Sequence, residues 1–417
     1  MPSASALLSG GRTPSLVATM PTARSAASLF HPLQIQHMIH TVATLRNELY
    51  ILGALALAIV LGAGILPRIL YVSHKKKLFD IPNERSVHQS PIPRLGGLSF
   101  YPVIIIVCGL SIGVRYLVGL SISTSIAPLD MLCKYLMLVV AMTILYLIGI
   151  ADDLTGVSYK PKFVAQFVAA SLLAVSGTWL NSLNGFLTIY ELPAWIGMPL
   201  TVFLIIYITN AINLIDGVDG LASGLCIIAL VALTALNLYH HQYYLALLGA
   251  ATAGVLVPFW LYNVFGNAKR GHKIFMGDTG SLTLGLVLSF IVINMSRNES
   301  GIAGDVNHTM AIAFATLIVP LFDVVRVVFR RLSTGKNPFL PDKNHFHHKL
   351  LRTGMRARWV MATILCFSVF FIALNTLLTL HLDISWTVLI DVVVWLLFHA
   401  FITYLGNKRR AQLEAQA

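Results

Sequence analysis

The chain has 417 residues, of which 57% are hydrophobic and 11% charged, and its formal charge is +12. A soluble domain carries about 25% charged residues, so the composition excludes an ordinary globular domain and points to an all-α, polytopic membrane protein. The four cysteines (Cys108, Cys133, Cys226, Cys366) stand singly in apolar runs, which indicates neither a zinc ligand set nor a disulfide framework.

Residues 1–47 are rich in Ser, Ala and Thr, contain Arg12, Arg24 and Arg46, and lack any acid. That composition resembles a transit peptide, but a disordered tail, or an over-extended start with Met20 or Met38 as initiator, is the expected reading. Residues 48–407 are expected to form the membrane domain and 408–417 a basic cytoplasmic tail. Runs near 20 apolar residues can cross a hydrocarbon core of about 30 Å as helices. About eleven such spans are expected, at 49–72, 97–117, 132–150, 163–182, 195–213, 221–239, 243–263, 280–296, 308–328, 359–380 and 385–405.

The connections alternate in charge. One set is basic, including "SHKKKLFDIPNERSVHQSPIPR", "DDLTGVSYKPK", "NVFGNAKRGHK" and "FRRLSTGKNPFLPDKNHFHHKLLRTGMRAR". The other set, such as "NSLNGFLTIYELPA" and "LYHHQ", is nearly free of Lys and Arg. By the positive-inside rule the basic loops face the cytoplasm, with the N-terminus outside and the C-terminus inside. The positive charge is then a feature of topology and requires no nucleic-acid partner.

Four polar clusters fall on the basic side, where an acid set in an apolar helix costs about 2.5–3.5 kcal/mol and so marks water-filled or functional places. In "ADDLTGVSYKPK", Asp152 and Asp153 end an apolar run, with Lys160 and Lys162 after them. Adjacent carboxylates favour a nearby cation, metal or lysine, although an interfacial helix cap would read the same way. In "NAINLIDGVDGLASG", Asn210, Asn213, Asp216 and Asp219 recur every third residue before Gly217 and Gly220 break the helix, giving a polar hairpin richer in carboxylates and amides than a turn requires. In "FMGDTGSL", Asp278 opens a span, as an N-cap or beside a phosphate-binding helix terminus. Phe275 suits a stacked base or an interfacial anchor. In "NHFHHKLLRTG", His345, His347 and His348 stand among Lys349, Arg352 and the upstream Arg330 and Arg331. This company favours anions over zinc, whose helical sites space histidines four apart; a basic loop at an anionic membrane surface is the plain alternative. Hard oxygen ligands beside a basic arm suggest Mg²⁺-assisted phosphoryl transfer at the membrane face.

These motifs, in this order and with "HQSPIPRLGG" after the first span, resemble the polyprenyl-phosphate N-acetylhexosamine-1-phosphate transferase family from Leu49 to Leu405. The resemblance implies attack of a polyprenyl phosphate on the β-phosphorus of a UDP-sugar, with Mg²⁺ as cofactor and Mn²⁺ as its substitute. It implies Asp278 and Asn213 as metal ligands and Asp152 beside the lipid phosphate, with Asp153 close by. Asp216, Asp219, Asn263 and Phe275 match positions near the uridine and ribose. The substrate-binding candidates also include Asn210, Lys160, Arg331, His345, His347 and His348. Pro341, Asp342 and the three histidines match the PDxxHxHH form of the branch that uses simpler acetylhexosamines, which makes UDP-GlcNAc the expected donor. The protein is then expected in the bacterial inner membrane, its site facing the cytoplasm, and a homodimer is admissible. The competing readings are a phospho-MurNAc-pentapeptide transferase, a secondary transporter of an anionic solute and, more remotely, a CDP-alcohol phosphotransferase.

Overall fold

The computed structural model of the protein describes residues 32–79, 91–118, 128–297, 306–335 and 345–414, with backbone alone for 32–45, 128–129 and 306–307. Most of the expected N-terminal tail lies outside the described residues, as do Pro341 and Asp342. The chain divides into two units, Met1–Leu49 and Tyr50–Ala417, and the site lies wholly within the second.

All the described regular structure is helical: α1 (Pro32–Lys76), α2 (Phe100–Leu117), α3 (Pro128–Thr155), α4 (Tyr159–Val175), α5 (Ala194–Ile215), α6 (Leu221–Tyr239), α7 (Tyr243–Phe265), α8 (Gly277–Met295), α9 (Val306–Ala315), α10 (Ile318–Ser333), α11 (Phe346–Arg352), α12 (Ala357–Leu378) and α13 (Ile384–Glu414). Nine of these are long and apolar enough to cross a membrane, and the pair α9–α10 makes a tenth if it counts as one span. The remaining expected span, 163–182, coincides with α4. That helix has only 17 residues, or about 25 Å at 1.5 Å per residue, and Gly177 at φ +95° turns the chain away after it.

The expected span at 308–328 is present as two helices with a break between them. Its two halves, α9 and α10, meet at a 70° bend. Pro320 has no N–H to give the carbonyl four residues back, which breaks the helical ladder near Thr316 and Leu317. The bend re-aims α10, so that its acid and its arginines run alongside α5 toward the site.

At the centre stands α8, buried continuously from Thr279 to Ile293. Small residues let its neighbours approach closely, as membrane helices require when lipid competes equally for apolar surface. A side chain at Gly149 of α3 would fall 2.5 Å from the Thr279 Cα, and one at Gly285 would fall 2.5 Å from the Thr209 Cα of α5. The hydroxyls inside α8 are satisfied locally: Thr283 donates to the Thr279 carbonyl and Ser289 to the Gly285 carbonyl.

Candidate active site

The site forms where the N-terminus of α8 meets the ends of α3, α4 and α5. Gly277 begins α8 at φ +72°, and a side chain there would strike the Arg94 carbonyl and the Asp153 carboxylate, so glycine is required on both conformational and steric grounds. Asp153 uses both oxygens on this terminus. Oδ1 accepts from the Asp278 N–H at 2.8 Å; Oδ2 accepts from the Thr279 N–H at 3.0 Å and its hydroxyl at 2.6 Å. These are the amides a helix leaves unpaired at its start, capped here from a different helix. The segment before α2 supports the other side, with Gly96 and Gly97 N–H donating to the Phe275 and Met276 carbonyls and Phe275 N–H donating to Pro93.

With Asp153 so engaged, Asp152 and Asp278 face a shared cation. The Lys162 ammonium lies 3.2 Å from Asp152 Oδ1 and 2.8 Å from Asp278 Oδ2. The Asn213 Nδ2 donates to Asp278 Oδ1 at 3.0 Å and to the Ser281 hydroxyl at 2.8 Å. Asp152, Asp153 and Asp278 each bring an oxygen within 4.8 Å of the others. Three carboxylates are the hard donors that Mg²⁺ takes together with substrate phosphates, and the ammonium already held there shows a position built for positive charge. The residues therefore fit a divalent ion.

The hairpin between α5 and α6 forms the facing wall. Asp216 is solvent-accessible yet surrounded by protein atoms. That setting, with the Asp219 and Asp278 carboxylates nearby, raises its pKa to about 7. Asp219 pairs with Lys273. The buried Asn263 fastens this hairpin to the loop before α8: its Oδ1 accepts from the Gly220 N–H at 2.5 Å and its Nδ2 donates to the Ile274 carbonyl at 2.8 Å.

The histidine arm closes against the hairpin. Phe346 is fully buried against Trp395, Phe398 and His399, anchoring α11. His347 is buried, and its Nε2 lies so close to Gly217 that a side chain there would come within 2.4 Å of it. Burial, then the neighbouring His348, lowers the His347 pKa to about 3, so this imidazole is neutral. Burial and the nearby Arg326 and Arg330 guanidinium groups lower Lys349 to about 8. His345 Nδ1 contacts Asp323 of α10 at 2.9 Å, and its ring stacks on that of His347 at 5.9 Å between centroids.

The expected site residues thus converge unevenly. Asp152, Asp153, Asp278 and Asn213 meet, with Asp216 and Asp219 on the wall opposite. Asn210 lies one turn deeper and donates to Gln166 of α4 at 2.8 Å. Asn263 spends both ends of its amide on backbone. Lys160 is exposed, and Lys162 takes the place among the carboxylates. Arg331 is buried on α10 and His348 packs on His347 at 4.2 Å. Asp323 was not anticipated, although an acid inside the apolar run "IVPLFDVV" is the signal that marked the other clusters.

Residues 135–296 match Glycosyl transferase family 4. The undecaprenyl-phosphate alpha-N-acetylglucosaminyl 1-phosphate transferase of Yersinia pestis is 30% identical over 69% of this chain and 73% of its own length. The "Probable undecaprenyl-phosphate N-acetylglucosaminyl 1-phosphate transferase" of Bacillus subtilis (strain 168) is 30% identical over 83% and 90%. The Escherichia coli (strain K12) protein with the first of these names is 29% identical over 69% and 72%. With matches of that extent around a carboxylate cluster at the ends of apolar helices, this chain belongs to glycosyl transferase family 4, the membrane sugar-phosphate transferases related to the undecaprenyl-phosphate N-acetylglucosaminyl 1-phosphate transferases.

Proposed function

We propose that this protein transfers N-acetylhexosamine 1-phosphate, with GlcNAc-1-phosphate as the leading case, from a UDP-sugar to undecaprenyl phosphate at the cytoplasmic face of the bacterial inner membrane. The observation that carries this reading is the convergence of Asp152 and Asp278 on one cation position, held here by the Lys162 ammonium, with Asn213 bonded to Asp278. The names of the relatives support the lipid acceptor and the GlcNAc donor. An oxygen of the lipid phosphate attacks the β-phosphorus of the donor, a new P–O–P link forms, and the bond to UMP breaks with UMP as leaving group. A phosphate monoester has a second pKa near 6, so no strong base is needed at neutral pH. The harder task is to bring two anions together.

Asp152 orients the lipid phosphate, and Lys162 supplies a positive charge between the two carboxylates. Asp153 holds the N-terminus of α8 so that Asp278 keeps its direction. Asp278 with Asn213 would hold Mg²⁺, which when bound supplies charge neutralisation at the donor's diphosphate. Asp216 and Asp219 face the nucleoside side of the donor, and the histidine arm faces its diphosphate and sugar. The product would prime a surface polysaccharide.

The test is an assay of the full chain in lipid nanodiscs with undecaprenyl phosphate and labelled UDP-GlcNAc. Lipid-linked sugar and UMP should form in equal amounts, and chelation should stop the reaction. Asp278→Ala should lower turnover by about 10³-fold or more, the scale of losing a charge-stabilising group at the reacting centre. Full turnover by that variant would refute the ligand assignment, and a faster reaction with UDP-GalNAc would reassign the donor.

A further inference from the structure

Asp323 is an acid in an apolar helix, only 1% exposed, and its two oxygens accept three donors. Oδ1 accepts from an Arg326 guanidinium N–H at 2.8 Å and from the Phe346 backbone N–H at 2.9 Å, and Oδ2 meets His345 Nδ1 at 2.9 Å. A buried acid is tolerated when it is paired and hydrogen-bonded, and two of these three partners belong to the histidine arm, 22 and 23 residues along the chain. The carboxylate therefore performs two tasks at once. It caps the first amide of α11, which fixes the arm's entry. As an acceptor it also requires the proton of a neutral His345 ring to lie on Nδ1, which leaves Nε2 as the atom the ring can offer elsewhere.

The direction of the rest of the arm gives that choice a consequence. His345 and His347 are stacked with an interplanar angle of 5°, and His347 lies against Gly217, between Asp216 and Asp219. The two imidazoles thus form a short stack ending on the hairpin wall. The bend between α9 and α10 is what brings Asp323 beneath it.

We propose that Asp323 is a positioning residue for sugar-phosphate transfer that acts through His345, setting both the seat of the arm and the tautomer with which His345 meets the UDP-sugar. The inference rests on the reading of the arm as a donor clamp. Its effect belongs mainly in KM for the donor, because Asp323 touches neither the carboxylate cluster nor the lipid-phosphate side.

Two measurements on the full chain in nanodiscs decide the matter. In the first, the histidines are labelled with ¹⁵N, and the His345 signal is assigned by its loss in His345→Gln. At a pH alkaline enough for imidazole to be neutral, the wild type should show the His345 proton on Nδ1, and Asp323→Asn should shift the population toward Nε2. In the second, Asp323→Asn should raise the UDP-GlcNAc KM at least 10-fold with kcat changed less than 3-fold, while adding it to His345→Gln should raise KM no further. Non-interacting sites would instead add their effects. An unchanged tautomer in Asp323→Asn, or a full KM penalty from it in the His345→Gln background, would overturn the proposal. Where Asp323→Asn fails to fold, Asp323→Glu keeps the charge and displaces the oxygens by one methylene, and it should show the same KM increase with melting near that of the wild type; an unaltered KM would overturn the proposal equally. If the wild type turned over no UDP-sugar, the proposed reaction would fall, whereas the tautomer measurement would still judge Asp323 with no donor present.

Discussion

Six aspartates near the site share one side chain and meet different fates through their surroundings. Asp153 caps a helix, Asp152 and Asp278 share an ammonium, Asp219 pairs with Lys273, and Asp323 seats the arm. Asp216 has no such partner among the described residues and answers to its setting and to neighbouring charge, which raise its pKa to about 7. The unfolded chain would titrate this carboxyl near 3.9. Its contribution to stability is therefore complete below about pH 4 and is lost as pH rises toward about 7. Asp216→Asn should accordingly raise the melting temperature in metal-free buffer, with a gain at pH 8 roughly twice or more that at pH 5. Equal gains at both pH values, or a loss, would contradict the raised pKa. The acids beside glycines and amides were legible as residues of interest from local pattern alone. Asp323 was harder to see because its partners His345 and Phe346 are more than twenty residues away, so no local spacing joins them.

At the scale of elements, the N-terminus of α8 is positioned by close approach on several sides. Gly149 brings α3 onto Thr279, Gly97 brings the segment before α2 onto Gly280, and Asp153 locks the first amides. Gly149→Leu should push α3 away from α8 and cost about 1–3 kcal/mol by overpacking. Displacing Asp278 by about 1 Å should lower turnover on the order of 100-fold. Gly109→Leu, at a position with nothing within 4 Å, should leave both stability and turnover near wild type. Comparable losses in the two variants, measured by melting and by lipid-linked product, would refute the packing argument. The motif "HQSPIPRLGG" is explained at this scale too: its glycines supply backbone donors to Phe275 and Met276, a task that residue type hinted at and chemistry did not require.

Over the whole molecule, the four polar clusters of the described residues gather at one end of the helices, where the described basic connections, such as 266–276, also lie. The expected orientation follows from the Lys and Arg bias of those connections. In a cysteine-free background, an impermeant maleimide should label Glu191→Cys in intact bacterial cells and Lys269→Cys only after permeabilisation. The reverse pattern would invert the topology. Membership of glycosyl transferase family 4 leaves the transporter reading without support, and the polar groups give it none, since they are gathered at one end.

The membrane class, the approximate place of nearly every span and the identity of the main carboxylates were determined by the sequence itself. Run length and charge bias are local properties, and bilayer thickness converts them directly into helices. The tertiary structure decided which carboxylate caps and which faces a cation, and that Lys162 rather than Lys160 completes the cluster. It also decided that the ninth expected span is bent by 70° and that the arm is seated on Asp323. Each of these depends on which helices approach closely enough for one side chain to reach another, and that distance is set by packing among segments far apart in the chain.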